Sequence, residues 1–237
     1  MTKKLLVYLI LLLFLASPGL RAQESWNCRL RKAYVSQDKT GWLGLLNKRE
    51  TELKSVKDNS KMFELALGYY GFAANLIRSK ENAEAAIYVE KCRYFLDLLE
   101  KQAYSPAAVL SLKATMEAFG MVIDRKKGIV SGPRSLSLIN AAMKADPLSP
   151  YAWAEKGNSE FYRPALFGGS FEKAAASYEK AVKLLEKSDQ GDCSWYNYFT
   201  QIQLATSLTK SGKKEAAEAV WKSLLAVEPG LAWAKPK

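Results

Sequence analysis

The 237-residue chain contains no histidine. That absence removes Ser-His-Asp and Cys-His catalysis, the HExxH metalloprotease motif and the commonest transition-metal ligand together. Cysteine is nearly as scarce. Cys28, Cys92 and Cys193 are far apart and odd in number, so they form neither a disulfide framework nor a CxxC metal site. Cys92 lies in the apolar stretch YVEKCRYFLDLL and reads as a small core residue, while Cys28 has Cys193 or Cys92 as a partner after export. No run of alternating apolar and polar residues is long enough to argue for a sheet. No Pro/Gly/Ser-rich linker divides the chain, and no nucleic-acid recognition motif accompanies its basic balance.

Long apolar runs are also missing, except at the start. Lys3 and Lys4 precede twelve apolar residues, Leu5 to Ala16, followed by Ser17, Pro18, Gly19 and Ala22. A helix of that length falls short of the roughly 20 residues needed to cross a bilayer, and the pattern is that of a secretory signal peptide over residues 1–22, cleaved after Gly19 or Ala22. The competing reading is an uncleaved anchor reaching Leu20. Export to the periplasm or cell envelope, with no stable transmembrane anchor, is the expectation. Removing residues 1–22 takes away Lys3, Lys4 and Arg21 and no acid, so the formal charge falls from +11 to +8. Lys48, Arg49, Lys54 and Lys57, interleaved with Glu50 and Glu52, read as a solvated helix face rather than a polyanion site.

What is abundant is helical periodicity. Helices are predicted at about 25–36, 40–56, 60–78, 81–102, 106–123, 133–145, 149–162, 170–187, 194–210 and 213–227, separated by turn and cap residues such as Ser105-Pro106, Gly132-Pro133, Asp146-Pro147 and Ser211-Gly212. The clearest internal signal is a repeat. GSFEKAAASYEKAV (Gly169 to Val182) returns as GKKEAAEAVWKSLL (Gly212 to Leu225), aligning Glu172 with Glu215, Ala174 with Ala217, Tyr178 with Trp221 and Ala181 with Leu224. Small and large apolar residues spaced in this way share one helix face, where the small ones admit a neighbouring helix around the aromatic.

These units resemble tetratricopeptide repeats. Leu204, Ala205, Leu208, Gly212, Ala217, Trp221, Leu224 and Pro229 occupy the signature places of the last repeat, and Trp153, Gly157, Ala174, Tyr178 and Ala181 those of the preceding one, which has a longer turn. With the leader, the GYYGF segment, the RPALFGGSFEKAAASYEKA block and the terminal EPGLAWAK, the chain is similar to a group of exported bacterial tetratricopeptide-repeat (TPR) proteins. The resemblance implies one all-α domain over residues 23–237, a TPR-like α-solenoid of about five antiparallel helix pairs, clearest over about 149–187 and 198–231. It further implies a non-catalytic scaffold whose concave groove takes a protein or peptide. The alternative is an accessory protein, associated with transport, that encloses a small apolar or aromatic ligand.

Within that frame Tyr151, Asn158, Phe161, Tyr162 and Phe199 are the candidate groove residues, and the unusually long turn adds Arg163 and Phe167 as a rim. The competing structural reading of this turn has Pro164 ending a helix, Gly168 and Gly169 at positive φ, and Phe167 plugging an interhelical gap. Glu155 with Glu160, or Glu172 with Glu179, are read as solvated acids rather than a glycosidase pair. No catalytic residue, metal ligand or cofactor is expected, and no nucleic-acid partner.

Overall fold

A computed structural model describes residues 24–187 and 193–236, so the leader expected over residues 1–22 lies outside the described residues. The described residues form ten α-helices and no strand: α1 (Trp26–Val35), α2 (Lys39–Glu52), α3 (Asn59–Arg78), α4 (Asn82–Lys101), α5 (Pro106–Ile123), α6 (Gly128–Ala145), α7 (Pro150–Tyr162), α8 (Phe171–Leu185), α9 (Trp195–Lys210) and α10 (Lys214–Val227). Short 3-10 segments at Arg125–Lys127, Ala165–Phe167 and Pro229–Ala234 follow α5, α7 and α10.

Local chemistry explains where these helices begin. The first turn of a helix leaves backbone N–H groups without partners, and short oxygen-bearing side chains supply them. Ser25 accepts from the Cys28 N–H, Asp38 from Gly41, Asp58 from Lys61, Ser149 from Ala152, Ser170 from Lys173 and Ser194 from Asn197. One predicted break is absent. Helix α6 starts at Gly128 and runs through Pro133, which costs it a single backbone hydrogen bond near its N-terminal end.

Consecutive helices pack as neighbouring pairs, α3 with α4, α5 with α6, α7 with α8 and α9 with α10. The repeat residues supply the contacts: Ala174, Tyr178, Ala181, Ala217, Trp221 and Leu224 are all buried. A Cβ on Gly157 would stand 2.8 Å from the Tyr178 ring, so the small residue on α7 makes room for the aromatic on α8. Helix α5 has the length and apolarity of a membrane span, but it packs against α3, α4, α6 and α7 as a core helix.

Helix α1, the first described helix, meets α9 and the 3-10 turn that follows α10. Cys28 on α1 is disulfide-bonded to Cys193, with the Cα atoms 4.4 Å apart across 165 residues of sequence, while Cys92 is buried with its thiol directed at the Ala66 carbonyl, 3.2 Å away. The Arg31 guanidinium approaches the Tyr198 hydroxyl at 3.4 Å and the Glu228 carboxylate at 3.6 Å, and the Trp233 indole donates to the Val35 carbonyl at 3.0 Å. Across this junction, Tyr34, Trp42 and Trp195 form an aromatic cluster with ring centroids 5.2 to 5.9 Å apart. Arg49, read from sequence as part of a solvated face, is buried. It stacks on Trp26 and pairs with Glu64, because a guanidinium can lie flat on an indole while its edge meets a carboxylate.

Candidate functional site

The centre of the molecule is a polar network enclosed by aromatic rings. Glu155 on α7, only 1% exposed, accepts hydrogen bonds from Thr115 on α5, from Asn158 at 2.6 Å and from Tyr196 on α9 at 2.8 Å. Tyr178 on α8 donates to Asn158 at 2.6 Å, and Gln203 on α9 donates to the hydroxyls of Tyr178 and Tyr162 at 3.4 and 3.1 Å. Burial pushes the Glu155 carboxyl above its ordinary value, and the hydroxyl and amide donors pull it only part of the way back. Burial raises Tyr70, Tyr178 and Tyr196 well above the usual phenol value, so these hydroxyls keep their protons and remain donors.

Glu160 is 8% exposed and accepts from Ser177 at 2.6 Å. The sequence-based reading of Glu155 and Glu160 as solvated acids is therefore corrected. Helical spacing placed both among lysines, but hydroxyl and amide groups on facing helices supply the partners that allow a carboxylate to be buried. The arrangement ties α5, α7, α8 and α9 together at fixed crossings.

The candidate groove residues separate into two groups. Tyr151 and Asn158 point inward: Tyr151 packs between Phe63 and Tyr196, each 5.2 Å away ring to ring, and Asn158 belongs to the network. Phe199 lies against Tyr70, Trp195 and Tyr196. The surface assigned to a groove by helical register is thus filled at these positions by the chain's own rings. Phe161 is half-buried against Tyr162 and Phe171, with Arg163 half-buried beside it.

Tyr162 and Phe167 are exposed, the latter by 67%, together with Leu166. Gly168 takes a positive φ of 88°, as expected, but Gly169 does not: it is small because the chain doubles back onto the Arg163 carbonyl. Phe167, however, plugs no gap. The 3-10 turn carries its ring outward, and the Ser170 N–H closes the turn on the Glu160 carbonyl at 2.8 Å without it.

A separate crevice of about 430 Å³ opens between α4 and α6 above α5, a size within the range of small-molecule sites. Its walls are apolar at Ala86, Val89, Ile123 and Val130, and charged at Arg93, Lys126, Arg134, Glu90 and Glu117. Glu117 is buried and shared: one oxygen is 3.3 Å from Arg93 and 3.7 Å from Arg134, and the other accepts from Ser131 at 2.8 Å. Arg93 also donates to the Met116 carbonyl at 2.8 Å. Glu90 also approaches Arg93 at 3.7 Å, so of the three cations Arg93 and Arg134 are paired with the two carboxylates and Lys126 makes no ion pair among the described residues. Sequence reasoning missed this site. Gly132-Pro133 reads as a helix boundary, which places Ile129 and Val130 in a turn, whereas the structure has them on the first turn of α6.

The described residues thus form an all-α protein of paired helices with a partly enclosed cleft lined by three cations and two carboxylates. The chain matches no protein-family model and no curated protein. Among solved structures it is similar to the HusA haemophore from Porphyromonas gingivalis, with a TM-score of 0.63 and 19% identity, covering 78% of this chain and 92% of that one. At that identity the likeness is one of fold.

Proposed function

We propose that this chain is an exported, non-catalytic binding protein of the tetratricopeptide-like helical-repeat kind, and that its ligand is a small amphipathic anion held in the crevice of α4, α5 and α6. The observation that carries this reading is the union of an apolar wall with Arg93, Lys126 and Arg134 in a single cleft of ligand size. The fold it shares with a haemophore supports it, because a haem-like molecule combines a flat apolar ring with carboxylates. The chain has no histidine, and the crevice lining includes no cysteine, methionine or tyrosine. Recognition would therefore fall on the ring faces and the carboxylates. A non-catalytic role is favoured because Glu155 is sealed from solvent and Glu117 is held between two arginines.

The test is optical titration of the chain with haem and with metal-free protoporphyrin. Both should bind, and Arg134→Glu or Val130→Glu should weaken each by about 10- to 100-fold, the range expected for losing a charged hydrogen bond or placing a charge in an apolar contact. Binding unchanged in both variants would reject the crevice. A second reading, capture of a protein or peptide, rests on the exposed Tyr162, Leu166 and Phe167 at the far end of α7. Affinity capture from envelope extract that is lost in Phe167→Ala and retained in Arg134→Glu would favour it.

A further inference from the structure

We propose that the corner joining α5 to α6 is a docking surface for an anionic lipid bilayer. Val122, Ile129 and Val130 are 52, 88 and 71% exposed, three aliphatic side chains on one helix-to-helix corner. Single exposed apolar residues are ordinary on a soluble protein, whereas a cluster rimmed by charge marks an interaction site. The turn between them reads Arg125-Lys126-Lys127, with Arg125 and Lys126 exposed and making no ion pair among the described residues. Its one acid, Asp124, is occupied locally, accepting from the Lys126 N–H at 3.1 Å.

Aliphatic tips flanked by cations match a bilayer surface. The tips enter the boundary between headgroups and acyl chains, the cations meet lipid phosphates, and the two weak signals together give the stable attachment that either alone lacks. A protein partner is less well matched, because the exposed apolar side chains at the corner are aliphatic and include none of the aromatic or Met anchors enriched at protein interfaces. Lys126 and Val130 also line the crevice, so a docked membrane would lie beside its mouth.

The experiment is vesicle co-sedimentation of the chain from Gln23 onward, using phosphatidylcholine vesicles with and without phosphatidylglycerol. Binding is expected only with the anionic vesicles, falling as salt is raised. Ile129→Asp and Arg125→Glu should each lower partitioning by about tenfold or less, and together by more, since each removes one of the two signals. Both residues lie outside the crevice lining, so porphyrin binding and the circular-dichroism spectrum should be unchanged in these variants, which separates this surface from the ligand site. No binding to anionic vesicles, or equal binding by wild type and both variants, would overturn the proposal. So would corner substitutions that abolish capture of an envelope protein while vesicle binding stays absent.

Discussion

A Cβ atom on Gly71 would lie 2.5 Å from Cη2 of Trp195, and 2.8 Å from the Trp42 ring. Helix α3 therefore passes directly beneath two indoles that link α2 to α9. Gly71→Ala raises intrinsic helix propensity by about 0.5–1 kcal/mol, but overpacking of a close-packed core costs about 1–3 kcal/mol. The clash is with rigid rings, so it should win. Urea denaturation is expected to show Gly71→Ala less stable by about 1–2 kcal/mol, and an equal or higher midpoint would contradict the packing described.

The Cys28–Cys193 bridge closes most of the chain into one loop. Replacing both cysteines by serine should lower stability by about 2–5 kcal/mol, as expected when a long loop is released in the unfolded state. Cys92 should behave differently. It is buried and its thiol is pushed up by that burial, so alkylation by iodoacetamide should require unfolding. Urea denaturation of the double serine variant checks the first statement, and mass mapping of the alkylated, unreduced protein the second.

Glu155 makes stability depend on pH with a defined sign. Its carboxyl is raised in the folded chain above the value of 4.5 it would have when exposed, so folding retains a proton that the unfolded chain loses first. The contribution is most favourable below that exposed value and declines as pH rises through it toward the folded one. Glu155→Gln has no such titration. Wild-type stability minus that of Glu155→Gln, measured by denaturation across acidic to neutral pH, should therefore fall as pH rises. A flat or rising difference would show that the hydrogen bonds to Glu155 outweigh its burial.

Phe161 and Phe167, six residues apart, should respond in opposite ways to removal. Phe161 packs on Tyr162 and Phe171 and adjoins the Ala174 and Tyr178 cluster, so Phe161→Ala should cost about 2–4 kcal/mol, somewhat less than a fully buried phenylalanine. Phe167→Ala should change stability by no more than about 0.5 kcal/mol, as at an exposed site. Thermal unfolding of the two variants measures the difference.

The repeat residues were legible in the sequence because their contacts are nearly local. Ala174, Tyr178, Ala217 and Trp221 lie on helices that pack against the helix immediately before, so periodicity alone places them. The interior of Tyr151, Asn158 and Glu155 was not legible in this way. Their partners Phe63, Tyr70, Thr115 and Tyr196 lie 40 to 88 residues away or on helices out of register, and a helical wheel cannot tell a groove from a groove filled by its own rings. The crevice was hidden for a different reason. Its basic and acidic residues are spread over α4, α5 and α6 with no spacing motif, and Pro133 disguised the start of α6.

The seam where α1 meets α9 and the final 3-10 turn also bears on how such a chain can diverge. An open array of helix pairs can gain or lose a unit, since each unit meets only its neighbours. Here an inserted pair would separate Cys28 from Cys193 and Val35 from Trp233, exposing Tyr34 and Trp195 on parted faces. Adding a helix pair would therefore require this seam to be broken, whereas lengthening a turn such as Arg163 to Gly169 would leave it intact.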